Sequence, residues 1–389
     1  MTTIAERNTE RNAEPLAPEA LVTSRRGLFK RVALASGAAA FAAATSTIAG
    51  DRPAPDGMAR LNLRENPWGA SKKAVEAVVE HAAYANRYAG DEKKALTDYI
   101  ATTNGVTPEQ VVLGNGSKPI LAASGAWLAR GGGDLVTADL TYAVLYKSAA
   151  AFGADLVQVP LTDAWDWDFD QMLAKIQTSN CGTYVCNPNG STGRLTDPKE
   201  LRAFVIEAAK TAPVFVDEAY LDMTEDFPNN SMVPLVAEGH NVVVSRTLSK
   251  LHGLAGQRLG YAMGNEDIIA GVQALLTNHV NRAGLVAGLA SLQDTAFQTE
   301  MRSKIAQGRA RLENIAGKYE MEIVNGSALN GVMWNVNMDV PIFHEKMLAQ
   351  GVLVAETGRD NAPGWSSVCI GTDAEMDTLE AALASVMNA

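Results

Sequence analysis

The chain has 389 residues, 47% hydrophobic and 20% charged, with a formal net charge of −11. That is enough for one large domain and a smaller one, in the ordinary composition of a soluble globular protein. The acidic balance argues against a nucleic-acid partner, which needs a basic face. The three cysteines, Cys181, Cys186 and Cys369, are too few and too unevenly placed for a disulfide framework, and none stands at metal-ligand spacing from a histidine.

Residues 1–23 are polar, carry Pro15 and Pro18, and show no apolar period. They are followed by Ser24-Arg25-Arg26-Gly27-Leu28-Phe29-Lys30-Arg31 and then by an alanine-rich apolar run from Val32 to Ala49. A cationic stretch, an apolar stretch and small residues at its end make the layout of an export signal. The paired arginines resemble the twin-arginine (Tat) pattern. The run is short and weakly apolar for a membrane span. Residues 1–50 are therefore expected to be a disordered N-terminus with a Tat signal peptide, read by the Tat export machinery. Tat carries folded proteins, so the chain would fold in the cytoplasm and work in the periplasm.

From about residue 85, short apolar runs alternate with stretches of helical spacing. The predicted strands are Gln110–Leu113, Asp134–Thr137, Ala154–Val159, Thr183–Cys186, Val214–Asp217, Asn241–Ser245 and Arg258–Met263; the predicted helices between them are Pro119–Arg130, Tyr142–Phe152, Phe169–Gln177 and Pro198–Lys210. Near-continuous β-branched runs mark strands buried on both faces of a mostly parallel sheet. Alternation with helices marks an α/β fold with helices on both faces. Beyond residue 295 a helix (Glu300 to Tyr319) leads into Val332–Met338 and Val352–Ala355, a smaller α+β domain. The expected division is 51–84 as a segment packing on the small domain, 85–290 as the large domain and 291–389 as the small one.

Polar and glycine-rich segments lie just past the strand ends, where open α/β sheets bind ligands. Asn241-Val-Val-Val-Ser-Arg-Thr-Leu-Ser-Lys250 runs a buried strand into a lysine, followed by Gly253, Gly256, Arg258 and Gly260. A partly desolvated lysine at such a mouth has a lowered pKa and becomes an amine nucleophile. Ser249 and Arg258 could hold a phosphate beside it. Val214-Phe215-Val216-Asp217-Glu218-Ala219-Tyr220 ends another buried strand on a carboxylate, which is costly unless a cation faces it. A protonated ring nitrogen is a fitting partner, with Tyr220 in reach of the same ring's hydroxyl.

Together these spacings resemble the aminotransferase class I/II family, fold type I, and within it the histidinol-phosphate aminotransferase branch. Leu61-Asn62-Leu63-Arg64-Glu65-Asn66-Pro67-Trp68-Gly69 is similar to the branch's N-terminal signature, and Arg87-Tyr88 followed by Gly90 to its Arg-Tyr-Pro segment. The resemblance implies a mostly parallel seven-stranded sheet with a smaller α+β domain, and pyridoxal 5'-phosphate as cofactor. It also implies a homodimer, no metal, and an amine or amino-acid donor with an oxo-acid acceptor. It places Lys250, Asp217 and Tyr220 as the Schiff-base lysine, the pyridinium partner and the donor to the phenolic oxygen. Gly116, Ser117 and Lys118, in the loop Gly114-Asn115-Gly116-Ser117 and just beyond it, fall with Ser249 and Arg258 on the phosphate. Tyr142 falls on the ring face, and Tyr88 on the neighbouring subunit's phosphate.

Two departures stand out. In Asn187-Pro188-Asn189-Gly190-Ser191-Thr192-Gly193, Gly190 occupies the place of the asparagine that bonds the cofactor's phenolic oxygen; Asn189 or Asn187 would have to substitute. In Ser366-Ser367-Val368-Cys369-Ile370-Gly371-Thr372, Ser367 occupies the place of the arginine that clamps the substrate carboxylate. A hydroxyl cannot replace a guanidinium fork, so Arg359 and Arg64 are the candidate substitutes, with Asn66 beside them; otherwise the substrate lacks that carboxylate. The leading expectation is an aminotransferase. The same residues would serve a decarboxylase, a β-lyase or an oxidase, or a non-catalytic binding protein. Histidine synthesis is cytoplasmic, so for an exported chain the branch resemblance speaks of ancestry. With Gly190 giving no hydrogen bond, the Schiff-base nitrogen is expected to titrate at a higher pH than in relatives that keep the asparagine, checked by following the cofactor's absorption against pH.

Overall fold

The computed structural model describes residues 57–176, 180–277, 279–355 and 362–387. The expected signal segment and Arg359 lie outside them. Seven strands form one sheet: β2 (Val111–Gly114), β3 (Asp134–Ala138), β4 (Asp155–Val159), β5 (Asn180–Cys186), β6 (Val214–Asp217), β7 (Val242–Thr247) and β8 (Gly260–Gly264). Their order is β2-β8-β7-β6-β5-β3-β4, parallel except that β8 runs antiparallel to both β2 and β7. The central strands β6 and β7 are buried at every position. This is why their sequences read as unbroken apolar runs with no alternation.

Local chemistry sets the helix boundaries. Asp197 accepts hydrogen bonds from the backbone N–H groups of Lys199 and Glu200, with Pro198 opening the helix Pro198–Ala208. The helix predicted from Pro119 begins two residues earlier, at Ser117, which puts Ser117 and Lys118 in its first turn. The strand predicted from Arg258 begins at Gly260 and leaves Arg258 in a left-handed turn before it. The helix Arg282–Leu292 carried no readable period, because it is apolar nearly all round and buries Gly284, Leu285, Val286, Ala287, Gly288 and Ser291.

A second apolar core gathers the smaller domain. There β9 (Gly331–Asn335) pairs antiparallel with β11 (Trp365–Cys369), and β1 (Ala59–Leu61) pairs parallel with β10 (Val352–Val354). Trp334, Phe343, Leu379 and Leu61 are fully buried in it. The segment 51–84, expected to pack on the small domain as a unit, divides. Its strand β1 joins the small domain, while its helix Lys72–His81 lies along Arg282–Leu292, with Lys73 paired to Asp294. The second core also takes in Ala219, Tyr220 and Leu251, the residues that follow the ends of β6 and β7. The two cores therefore meet where the sheet presents Asp217 and Lys250. Among the described residues no helix is long and apolar enough to cross a membrane.

One charged pair underlies this junction. Glu218 and Arg246 are both buried, with Nη2 2.9 Å from the carboxylate. The carboxylate also accepts from the Ser231 hydroxyl and the Met232 N–H. Removing one member of such a pair strands the other charge in the core. Glu218→Ala is expected to lower stability by about 3–5 kcal/mol, read as a shift in the denaturant midpoint.

Candidate active site

A cavity of ≈ 380 Å³ opens at the junction of the two cores, lined by residues from four strand ends. Lys250, Asp217, Tyr220, Tyr142, Ser117, Lys118, Ser249 and Arg258 all line it. Leu63, Glu65, Ala219, Thr247, Ala255 and Gly256, to which the sequence assigned no role, complete the wall.

Asp217 ends β6 with its side chain almost wholly buried. The Ser245 hydroxyl donates to one carboxylate oxygen at 2.9 Å and the Tyr184 hydroxyl to the other at 3.3 Å. Among the described residues no cation pairs with it. Burial lifts its pKa to about 6, with the Ser245, Tyr184 and Ala219 donors pulling the other way. The carboxylate is thus held in place and short of a positive partner. Sequence reasoning missed Ser245 and Tyr184. The signal for Ser245 is strand register, since Asp217 stands opposite it on β7; Tyr184 pairs with Phe215 and lies two residues before Cys186, Asp217's partner on β5.

Lys250 follows β7 and donates from Nζ to the Leu63 carbonyl at 3.2 Å. Desolvation lowers its pKa to about 8, and the nearby Arg64 and Arg258 charges push the same way. Its Nζ stands 5.4 Å from the centroid of the Tyr220 ring. Burial raises the Tyr220 phenol, against the pull of Arg64, so the phenol keeps its proton as a donor.

The opposite end of the cavity is built to receive an anion. Gly116 has φ +88°, and a Cβ there would lie 2.3 Å from Arg258 Nη2. A Cβ on Gly260 would lie 2.3 Å from the Ser117 nitrogen. Only glycine lets the β8 backbone and the Arg258 guanidinium approach the first turn of the helix Ser117–Ala129, whose opening N–H groups have no side-chain cap. Arg258 Nη1 donates to the Ser249 hydroxyl at 3.4 Å and to the Ala255 carbonyl at 2.8 Å. A helix N-terminus, a hydroxyl and a guanidinium converge as a phosphate requires. This donor set, in one cavity with an unpaired buried carboxylate and a lysine of lowered pKa, fits pyridoxal phosphate.

Other expected residues fall elsewhere. Asn189, expected to replace the donor missing at Gly190, does not reach the cavity. Its amide donates to the Leu140 carbonyl at 3.0 Å and accepts from the Ser191 N–H at 2.9 Å. Asn187 is likewise spent, accepting from Thr196. Asn66 donates to the Leu251 carbonyl at 2.8 Å and accepts from the Trp68 N–H, tying the N-terminal segment to the turn after Lys250. Tyr88 stands outside the cavity, 85% exposed, with its ring against His279. Arg64 is buried beside the wall, with its side chain on Ser367.

The lowered pKa of Lys250 sets a rate. Below about pH 8 its neutral fraction falls about tenfold per unit, so capture of an aldehyde by the apo-protein is expected to fall in step and to level off above that pH. Stopped-flow absorbance with pyridoxal phosphate measures this.

Residues 62–383 match the family described as aminotransferase class I and II. A histidinol-phosphate aminotransferase of Brevibacillus brevis is 30% identical over 329 residues, 84% of this chain and 90% of its own. The histidinol-phosphate aminotransferase of Sinorhizobium meliloti, solved in complex with pyridoxal-5'-phosphate, superposes with a TM-score of 0.74 at 26% identity, over 85% of this chain and 90% of that one. The Thermus thermophilus aspartate aminotransferase with maleate shares the fold alone, at 20% identity and a TM-score of 0.73, over 91% of this chain and 96% of that one. The chain belongs to the aminotransferase class I and II family and is a pyridoxal-phosphate-dependent aminotransferase.

Proposed function

We propose that the cavity holds the cofactor between Asp217 and the Ser117–Lys118 turn, with Lys250 as the residue that binds it covalently and moves the proton. One observation carries this reading: a buried carboxylate without a cation and a lysine of lowered pKa line the same cavity. Bound pyridoxal phosphate supplies an electron sink for the pair released at the substrate's Cα. Asp217 faces the ring nitrogen and keeps it protonated, held in place by Ser245 and Tyr184. Tyr220 donates its hydroxyl toward the ring's phenolic oxygen, and Tyr142 lies against the ring. Ser117, Lys118, Ser249 and Arg258 bind the phosphate, with Gly116 giving them room. Lys250 would hold the cofactor covalently and act as the base that takes the proton from the substrate's Cα and delivers it to the cofactor carbon on the other side of the nitrogen. The Leu63 carbonyl orients its amine for that task.

The substrate is an amine or amino acid and the acceptor an oxo acid. The working unit is a homodimer, a reading supported by the exposed Tyr88, Tyr84, Phe152 and Leu275. The Ser24–Arg31 segment and the apolar run behind it support export by the Tat machinery and a periplasmic location. In that compartment the donor is an amine other than histidinol phosphate.

Borohydride reduction of the holoenzyme, followed by peptide mass mapping, is expected to fix the cofactor on Lys250. Lys250→Ala is expected to lose that label and to slow the half-reaction with amino donors by about 10²–10⁴-fold. A label on another lysine, or an unslowed Lys250→Ala, would sink the assignment.

A further inference from the structure

We propose that Arg64 takes the substrate's carboxylate in this chain, supported from behind by Ser367. The inference rests on the cofactor reading of the cavity and deepens it: the donor becomes an amino acid and not a simple amine.

Arg64 is placed with unusual care for a charged residue. Its backbone is in the left-handed region (φ 52°), a conformation that costs free energy in any residue with a side chain. Its N–H donates to Cys369 Sγ at 3.1 Å, and its side chain is more than nine-tenths buried. Nη2 donates to the Ser367 hydroxyl at 2.7 Å and lies 3.5 Å from the Ser191 carbonyl. Nη1 is buried with no hydrogen-bond partner. No carboxylate among the described residues pairs with the guanidinium, and Glu65, its neighbour in the chain, makes no ion pair with it. A buried cation without a counter-charge is costly, and one nitrogen left unpaired beside a ligand cavity invites an anion.

The location selects which anion. Leu63 and Glu65, on either side of Arg64, line the cavity. Its charge is felt by Lys250 and Tyr220, the groups assigned to the reacting end. The phosphate-binding turn with Arg258 is a separate cluster, so Arg64 is available to the substrate. Gly190 lies against two cavity tyrosines: a Cβ there would stand 3.4 Å from the Tyr220 ring and 3.5 Å from Tyr142 Cβ. A longer side chain at 190 would project between those rings. Glycine leaves that gap open, and the next residue, Ser191, is the one whose carbonyl lies against Arg64.

Ser367 has become the support. Its hydroxyl donates to the Val332 carbonyl at 3.3 Å and so turns its lone pairs to Arg64. By the resemblance noted in the sequence, the family's carboxylate arginine falls at 367. Here the cation has moved across to 64, and position 367 carries the small polar residue that holds it.

The test uses holoenzyme and amine-free probes: 3-phenylpropionate and propionate as carboxylates, propylphosphonate as the phosphate-like anion and butylamine as the simple amine. Binding is followed by calorimetry and by the cofactor's absorption band. Wild type is expected to bind 3-phenylpropionate saturably. Arg64→Asn is expected to weaken that binding at least about tenfold while the cofactor stays fixed on Lys250. The exchange variant Arg64→Asn/Ser367→Arg is expected to recover most of it. Unchanged carboxylate affinity in Arg64→Asn overturns the proposal. A loaded wild type that ignores both carboxylates, or prefers the phosphonate, overturns it too. If Arg64→Asn alone does not load, the exchange variant decides: loaded and carboxylate-binding supports the proposal, loaded and indifferent ends it. Wild-type protein that holds no cofactor would instead overturn the cofactor reading itself.

Discussion

The carboxylate of Asp217 is the constraint around which the molecule is arranged. It stands at the end of a strand buried on both sides, where burial makes it hold a proton more tightly than a free carboxylate does. Two hydroxyls from the adjacent strands, Ser245 and Tyr184, keep it oriented but bring no positive charge. These hydrogen bonds and the Ala219 N–H satisfy its geometry and leave its charge unpaired, which in the proposed reading readies it for a cationic ring nitrogen. The sheet must be parallel there for this to work. Parallel pairing brings the C-terminal ends of β5, β6 and β7 together, so that Asp217 and the chain leading to Lys250 emerge on one edge.

That edge is also where the second core begins. Ala219, Tyr220 and Leu251 leave the sheet and pack with the small domain. The cavity wall is therefore assembled from both halves of the molecule. The buried Glu218–Arg246 pair, one residue from Asp217 and four from Lys250, fixes the two strand exits relative to each other. Rigidity at the exits preserves the distances on which proton transfer depends.

The cofactor end and the substrate end of the cavity follow different logics. Around the phosphate-binding turn, glycines at 116 and 260 remove side chains so that backbone and guanidinium can crowd together. Elsewhere, Gly190 leaves the space beside the Tyr220 ring open, and Arg64, buried beside the wall in a left-handed turn, rests on Ser367. The second arrangement is where a change in substrate would be expressed.

From residue types and spacing alone, the strands of the seven-stranded sheet, their burial, the parallel alternation and the polar segments at their ends could be read, while β1 and β11 of the small domain could not. Each of these is a local property: apolar runs make buried strands, and the residue that closes such a run must stand at the sheet's edge. Asp217, and Lys250 just beyond β7, were legible for that reason. What local pattern could not reveal was contact between distant segments. Arg64 and Ser367 are 303 positions apart and meet only because β1 and β11 belong to the same small domain. Asn189 looked free in sequence but is spent on the Leu140 carbonyl, and Ser245 looked like an ordinary strand residue but faces Asp217. The sequence by itself determined which residues end buried strands. Only tertiary packing decided which polar groups are consumed by the fold and which remain for a ligand, because that depends on register and on the meeting of two cores.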